Sequence, residues 1–237
     1  MTNSQKSIRA ERKQRAKRQK QTQSIGMIII GLLILVGAGL GLSYAADRAI
    51  VLVDPPGYSH PSPDMNAIGN PDAPVVVYEY SSFACSHCYN FFTDSEGLFI
   101  QNYVETGLVY YIYMPYHTDP NRIDTIGAHA AMCAGEQGAF WDMHDMLFAN
   151  FATGYTRANI DQMAEYFELD MAAYEACMDS EKYYEQIIND TQNAYVELGV
   201  EGTPSFIING ELAVIGNEGY QALANAVEAA LETSGAE

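Results

Sequence analysis

The sequence predicts an α/β fold: a central mixed β-sheet flanked by helices, with an inserted helical domain and one transmembrane helix before it. Three observations predict this arrangement. Two β-rich runs enclose a helical segment early in the folded part, a long proline-free block of helical character follows, and β character returns before a last helix. An uncharged apolar stretch of about twenty residues precedes all of them, and that length spans a bilayer.

The N-terminal part predicts a membrane anchor. Eight of the twelve Lys and Arg residues lie in the first twenty positions, and residues 25–45 carry no charge. Because basic residues stay on the cytoplasmic side, residues 1–24 are a predicted cytoplasmic tail and residues 25–45 the predicted anchor. A cleaved signal peptide is the alternative, since Ser43-Tyr44-Ala45 resembles a cleavage site. Both interpretations place the folded part outside the cytoplasm, in the periplasm or its equivalent.

The folded part is strongly acidic. The chain has a net charge of −18 although its N-terminal tail is basic, and beyond residue 45 only Arg48, Arg122, Arg157 and Lys182 are basic. This composition argues against nucleic-acid binding, because nothing would neutralise the phosphates.

The first half of the domain predicts a β-α-β unit. Six of the nine prolines lie between Asp54 and Pro74, which predicts an extended linker over residues 46–68. Residues 75–80 are β-branched and aromatic and predict a buried strand. A helix is predicted from Cys85 to Phe99, and a second strand at residues 108–113.

The second half predicts a helical block and then a return to the sheet. From residue 122 to about 193 proline is absent, and about four helices are predicted, one with Asp170 as its N-cap. A strand ending in the turn Asn209-Gly210, a short partner strand and a helix over residues 219–231 follow. The predicted core is therefore 69–118 with 194–235, and the predicted helical insertion is 119–193.

The motif Cys85-Ser86-His87-Cys88 follows the first predicted strand and begins the helix. Unpaired N–H groups at a helix N-terminus favour a thiolate, and His87 can add a positive charge, so Cys85 is the predicted attacking thiolate. Cys88, one turn later, would resolve the mixed disulfide. Zinc binding is the alternative, but it requires a second close pair of ligands, and Cys133 and Cys177 are far apart in the sequence. No metal is predicted.

Three stretches resemble a DsbA-type thiol:disulfide oxidoreductase of the thioredoxin superfamily. They are residues 69–75 at the entry to the first strand, 79–88 with the two cysteines, and 202–206, Gly-Thr-Pro-Ser-Phe. The resemblance covers roughly residues 69–232. It implies a thioredoxin fold with a helical domain inserted between its two halves.

The resemblance also implies roles for residues around the cysteines. Pro204 would be cis and lie beside the disulfide, and the backbone of Thr203 would pair with an extended substrate. Glu79 would be buried beneath the site and move protons to and from Cys88. A trans Pro204 that only begins a strand, and an outward-facing Glu79, are the alternatives that the residues leave open.

The dipeptide between the cysteines departs from the family's Cys-Pro-His-Cys form. His87 matches the histidine of that form and would stabilise the thiolate, with an inert, solvent-facing His87 as the alternative. Ser86 replaces the proline and is the third predicted substrate-contacting residue, so the redox potential stays open.

Cys133 and Cys177 lie on two predicted helices of the insertion. Some relatives carry a structural disulfide in this domain, and an extracytoplasmic location favours pairing over two separate buried thiols. His129 and His144 are interpreted as ordinary helix residues, and Trp141 as part of the core.

Together these observations predict a membrane-anchored thiol:disulfide oxidoreductase that donates disulfides to cysteine-containing secreted or extracytoplasmic proteins. No cofactor is expected beyond the Cys85–Cys88 disulfide. The resemblance implies reoxidation by a quinone-linked membrane partner of the DsbB or VKOR type. Two alternatives stay open: a reductase or isomerase kept reduced by a membrane donor, and a non-catalytic binding module or chaperone that holds extended chains beside Pro204.

Overall fold

The computed structural model describes residues 50–118 and 123–235, together with Met27, Ile30, Gly31, Ile34 and Leu35, which are helical. The chain divides into two units, 1–49 and 50–237. In the part of the chain that is described, no helix is long and apolar enough to cross a membrane. The predicted tail, 1–24, almost all of the predicted anchor, 25–45, and the first residues of the predicted insertion lie outside the described residues.

The second unit is built on a five-stranded mixed sheet, as predicted. Its strands are β1 (Ala67–Ile68), β2 (Val75–Ser81), β3 (Val109–Pro115), β4 (Ser205–Ile208) and β5 (Glu211–Ile215). Their order is β1-β3-β2-β4-β5. Strands β2 and β3 are parallel, and the other pairs are antiparallel. The central strand β2 is buried along most of its length because helices cover both faces of the sheet.

Eight α-helical segments surround this sheet in the described residues. They are α1 (Ser86–Phe91), α2 (Gly97–Phe99), α3 (Ile123–Gly135), α4 (Phe140–Ala149), α5 (Arg157–Tyr166), α6 (Met171–Ser180), α7 (Lys182–Leu198) and α8 (Tyr220–Ser234). The block between β3 and β4 therefore holds five helices, where the sequence predicted about four. Asp170 caps α6, as predicted: its carboxylate accepts hydrogen bonds from the N–H groups of Ala172 and Ala173.

Two π-helical segments, one between α1 and α2 and one after α2, join these short helices into one continuous helix. Residues Phe92–Glu96 and Ile100–Val104 are π-helical. The buried residues of this segment form pairs that recur every four positions, at 91–92, 95–96, 99–100 and 103–104. A regular α-helix of 3.6 residues per turn would rotate such pairs away from the core, and each π turn takes up the extra residue. The whole segment therefore keeps one face against the sheet.

The hairpin of β4 and β5 has the predicted turn. Asn209 has a φ of 50° and Gly210 a φ of 89°, so both adopt the left-handed conformation of a two-residue hairpin turn. The Asn209 side chain also accepts a hydrogen bond from the N–H of Val76 on β2.

Residues 50–61, which we call the strap, lie along the helices. The N–H and C=O of Ile50 bond the side-chain amide of Gln162, at 3.1 and 2.7 Å. The N–H of Val53 donates a hydrogen bond to the side-chain oxygen of Asn150 at 2.8 Å, and the carbonyl of Val53 accepts one from the side-chain nitrogen of Asn150 at 2.9 Å. The sequence predicted a linker over 46–68. Residues 50–60 have no regular secondary structure, but strand β1 lies inside the predicted linker, and Asp64 forms a β-bridge with Ala67. The strap is bound to the domain because the side-chain amides of Gln162 and Asn150 take the place of a neighbouring strand.

Candidate active site

The two cysteines of the motif lie where β2 passes into α1. Cys85 is the N-cap residue of α1, and its carbonyl accepts a hydrogen bond from the N–H of Tyr89 at 3.0 Å. Its side chain is partly exposed, whereas Cys88, one turn later, is buried; both are free thiols. The backbone N–H of Ser82 lies 3.5 Å from Cys88 Sγ. One thiol can therefore meet a partner while the other is held inside.

The surroundings shift the pKa values of the two thiols in opposite directions. The pKa of Cys85 is lowered to about 5, with the hydrogen bond from the Cys88 thiol as the largest cause. Hydrogen bonds from Thr203 and from the backbone N–H groups of His87 and Cys88 add to this effect, and partial burial opposes it. Burial raises the pKa of Cys88 well above its ordinary value. Cys85 is therefore a thiolate at neutral pH, and Cys88 is a thiol.

Strand pairing brings a proline loop against Cys85. Strand β4 pairs with β2 so that Phe206 lies opposite Glu79, and the loop before β4 then reaches the start of α1. The Thr203–Pro204 bond in this loop is cis. Cys85 Sγ lies 3.4 Å from the Thr203 carbonyl oxygen. The chain thus presents backbone polar groups beside the accessible sulfur.

Glu79 lies beneath the cysteines on the central strand, with only 2 % of its surface exposed. Tyr111 on β3 donates a hydrogen bond to its Oε2. Burial raises the pKa of Glu79 to about 7, although the hydrogen bond from Tyr111 opposes this shift. A carboxyl group with this pKa can both give and take a proton near neutral pH.

The dipeptide residues Ser86 and His87 are both exposed at the first turn of α1. His87 acts on Cys85 through its backbone N–H. The position of Ser86 leaves it open to a bound chain.

A second cluster of ionisable side chains adjoins Glu79, and sequence analysis missed it. Its members are Glu96, Tyr111, His144, Asp145 and His60. Glu96, His144 and Asp145 are all at least 97 % buried. His144 Nδ1 lies 2.9 Å from Asp145 Oδ1, and His60 Nε2 lies 3.4 Å from Asp145 Oδ2. The available signal is the adjacent His144 and Asp145 on a predicted amphipathic helix, of which sequence analysis considers His144 alone and interprets it as an ordinary helix residue.

The remaining predicted residues lie in the helical block. The Sγ atoms of Cys133 on α3 and Cys177 on α6 are 2.05 Å apart, as in a disulfide. His129 Nε2 lies 3.2 Å from the carbonyl oxygen of Cys177. These three residues have the side-chain types of a metal site and lie close together. The bonded sulfurs offer no thiolate to a metal ion. Trp141 is buried, as predicted, and donates a hydrogen bond to the carbonyl of Ala67 at 3.3 Å.

This fold and its pair of thiols define a thioredoxin-fold dithiol protein. Residues 62–229 match the family model described as Thioredoxin, and the chain belongs to that family.

Individual relatives are similar over most of the domain. The chain is 32 % identical to a Na(+)/H(+) antiporter NhaA 3 of Salinispora tropica over 151 residues, which are 62 % of this chain and 22 % of the antiporter. It is 25 % identical to a putative protein-disulfide oxidoreductase of Rickettsia felis over 170 residues, 70 % of this chain and 59 % of the relative. The chain thus spans less than two thirds of the length of either relative.

A solved structure shows the same fold. The crystal structure of Wolbachia pipientis alpha-DsbA1 aligns with a TM-score of 0.63 at 22 % identity, and the alignment covers 74 % of this chain and 94 % of that one. At this level of identity the likeness concerns the fold.

Proposed function

We propose that this chain is an extracytoplasmic, membrane-anchored thiol:disulfide oxidoreductase that donates disulfides to cysteine-containing secreted proteins. The observation that carries the proposal is the pairing of an accessible Cys85, with a pKa of about 5, with a buried Cys88 whose pKa is raised. The difference in exposure determines which sulfur an incoming thiolate can reach, and the low pKa of Cys85 makes it the better leaving group when the mixed disulfide is resolved. The relatives named protein-disulfide oxidoreductases support the same activity.

The reaction begins with the oxidised pair. A substrate thiolate attacks Cys85 Sγ, the Cys85–Cys88 bond breaks, and Cys88 leaves and takes a proton from Glu79. The second substrate thiol loses its proton and attacks the substrate sulfur of the mixed disulfide, and Cys85 leaves as a thiolate. The substrate loses two electrons to the enzyme and gains a disulfide. The low pKa of Cys85 makes it a good leaving group in this last step.

Substrate binding rests on the backbone at the proline loop. An extended chain that pairs with Thr203 beside cis-Pro204, with Ser86 exposed on the other side, would hold its cysteine close to Cys85. Backbone pairing does not depend on the side chains of the substrate, so it suits an enzyme with many protein substrates.

The stabilised reduced state supports the oxidising direction of the reaction. A thiolate held by hydrogen bonds favours the dithiol, which makes the disulfide a strong oxidant. Electrons would pass on to a quinone-linked membrane partner, with no cofactor besides the disulfide. The Cys133–Cys177 disulfide supports an oxidising compartment, and the apolar residues 25–45 support the anchor.

The test is the reduction potential of the Cys85–Cys88 pair, equilibrated against glutathione with the second disulfide monitored separately. We expect a value near or above about −150 mV; a value below about −230 mV would identify a reductase instead. Cys85→Ser is the matched variant. It should lose oxidation of a reduced test protein while still binding it, and unchanged oxidation would show that the protein is not this catalyst. Retention of the full chain in carbonate-washed membranes tests the anchor.

A further inference from the structure

We propose that Glu96, His144, Asp145 and His60 form a proton relay that connects Glu79 with solvent at the strap. This inference rests on the proposed function and deepens it, because it states how the proton that Glu79 gives to Cys88 is replaced. These four are positioning residues that act through Glu79 and do not touch the substrate.

The relay is a continuous path of side chains. Tyr111 donates a hydrogen bond to Glu79 and lies 3.4 Å from Glu96 Oε1. The same Glu96 oxygen lies 3.8 Å from His144 Nε2. His144 then contacts Asp145, and Asp145 contacts His60, whose side chain is 13 % exposed. The path therefore begins on the central strand and ends at a residue in contact with solvent.

His144 has a free nitrogen at the centre of this path. Its Nε2 atom is buried and has no hydrogen-bond partner among the described residues. Its other nitrogen, Nδ1, meets the Asp145 carboxylate, so Nδ1 carries the hydrogen and Nε2 is left as an acceptor. An acceptor that faces Glu96 is satisfied when Glu96 is a protonated carboxylic acid. A small movement that shortens the 3.8 Å gap completes this hydrogen bond.

Charge in the surroundings supports these protonation states. Burial, followed by the nearby Glu79 and Asp145, raises the pKa of Glu96 well above its ordinary value. Burial lowers the pKa of His144. Burial alone would raise the pKa of Asp145, but the hydrogen bond from His144 and the nearby imidazole of His60 hold it below its ordinary value. Glu96 is thus the proton donor, His144 is neutral, and Asp145 is ionised.

In the part of the chain that the structure describes, no Lys or Arg side chain neutralises the cluster. Titratable groups face it from the strap (Tyr58 and His60), from β2 (Glu79), from β3 (Tyr111 and Tyr113), from the π turn (Glu96) and from α4 (Asp145). Among the residues that the structure describes, the Lys and Arg side chains are Arg157, paired with Asp161 and Asp179, and Lys182, paired with Glu136. Protons therefore replace cations in balancing the buried carboxylates.

The proton balance of the redox step follows. When Cys88 leaves, it takes the proton of Glu79, and Glu79 becomes a carboxylate. Glu79 takes a proton from the Tyr111 hydroxyl as that hydroxyl takes one from Glu96. Glu96 takes the hydrogen that His144 carries on Nε2 in the oxidised state, while His144 Nδ1 takes a proton that His60 and Asp145 pass inward from solvent. This leaves the hydrogen of His144 on Nδ1, as in the reduced protein described above, and reoxidation of the pair reverses each transfer. One proton enters the site for each disulfide reduced, and no group in the path ends with a changed charge.

The test is steady-state oxidation of a dithiol peptide by the full-length chain, with excess oxidised glutathione to reoxidise it, measured across pH in water and in deuterium oxide. His144→Gln and Glu96→Gln should each lower kcat at neutral pH by about tenfold, with KM unchanged, because substrate binding at Thr203 is intact. The dependence of the rate on deuterium fraction should be curved in the wild type, since several protons move. It should be closer to linear in both variants.

His129→Gln is the matched control. His129 is also a buried histidine of the helical block, but it bonds the carbonyl of Cys177. We expect wild-type kinetics from it, and an equal loss in His129→Gln would refute the relay. Wild-type rates and a curved deuterium dependence in His144→Gln and Glu96→Gln would refute it as well.

His60→Ala is a third variant, which tests the relay if the two core variants do not fold. The His60 side chain is partly exposed, so its replacement disturbs the core less. It should lose rate, and added imidazole should restore the rate; no loss, or a loss without rescue, would refute the relay. A wild-type chain that does not oxidise the peptide would refute the proposed function itself, so the two failures are distinguishable.

Discussion

Replacing Glu79 by Gln should make the protein more stable and less active at the same time. Burial raises the pKa of Glu79 from 4.5 to about 7. Because the folded pKa lies above the unfolded one, the unfolded chain ionises first, and stability is lost as pH rises from about 4.5 through 7. A shift of this size corresponds to a cost of up to about 3 kcal/mol above pH 7. Gln cannot ionise and still accepts the hydrogen bond from Tyr111.

Urea unfolding of the reduced protein measures this difference. At about pH 8 the Glu79→Gln variant should be more stable than the wild type by up to about 3 kcal/mol, and the gain should vanish near pH 4.5. Oxidation of a dithiol substrate should be slower, because Cys88 then leaves without its proton donor. Glu211→Gln, at an exposed site on β5, should change stability by less than about 0.5 kcal/mol at either pH. An equal difference between Glu79→Gln and wild type at both pH values would refute the raised pKa.

Three further outcomes test other parts of the structure. Cys88→Ala should raise the pKa of Cys85 from about 5 toward its ordinary value, because it removes the hydrogen bond with the largest effect; a thiolate absorbance titration measures this. Replacing Cys133 and Cys177 by Ala, which opens a link with a sequence separation of 44, should lower the free energy of unfolding by about 4 kcal/mol in denaturant titrations and leave oxidation of substrate intact. Asn150→Ala should cost about 2 kcal/mol, and amide hydrogen exchange in the strap should speed up, because the variant loses both hydrogen bonds to Val53.

The centre of the site could be predicted because its residues lie in short, contiguous motifs. The spacing of Cys85 and Cys88 places the first thiol at the start of the helix and the second thiol one turn later. This placement does not depend on the rest of the chain. The proline loop precedes a strand of obvious β character, and strands β2 and β4 are neighbours in the sheet. Sequence order and strand pairing together therefore account for the contact between Cys85 and Thr203.

Glu96 was missed because its residue type conceals its position. It ends a polar stretch, residues 93–96, and a carboxylate in such a stretch is ordinarily exposed. Its spacing of four from both Phe92 and Ile100 nevertheless places it on the apolar face of the helix, where the structure buries it. Helical spacing was therefore the available signal, and the polar neighbours argued against it.

His144 and Asp145 were missed for a different reason. They are consecutive residues on α4, and an amphipathic helix commonly exposes one of two consecutive polar residues. The strap covers that face and supplies His60 to Asp145. Because the sequence predicts only an extended linker over residues 46–68, it offers no partner for Asp145. A proline-rich segment forms no regular pattern, and its contacts come from amide side chains on distant helices.

Trp141 provides an intrinsic fluorescence signal beside the relay. It is the single tryptophan of the chain, and its ring centroid lies 5.0 Å from that of His144 and 5.3 Å from that of His60. A protonated imidazole in contact with an indole quenches its emission more strongly than a neutral one does. The intrinsic fluorescence of the unmodified protein therefore reports the charge of these two histidines, and it can be followed while Cys85 and Cys88 are oxidised or reduced.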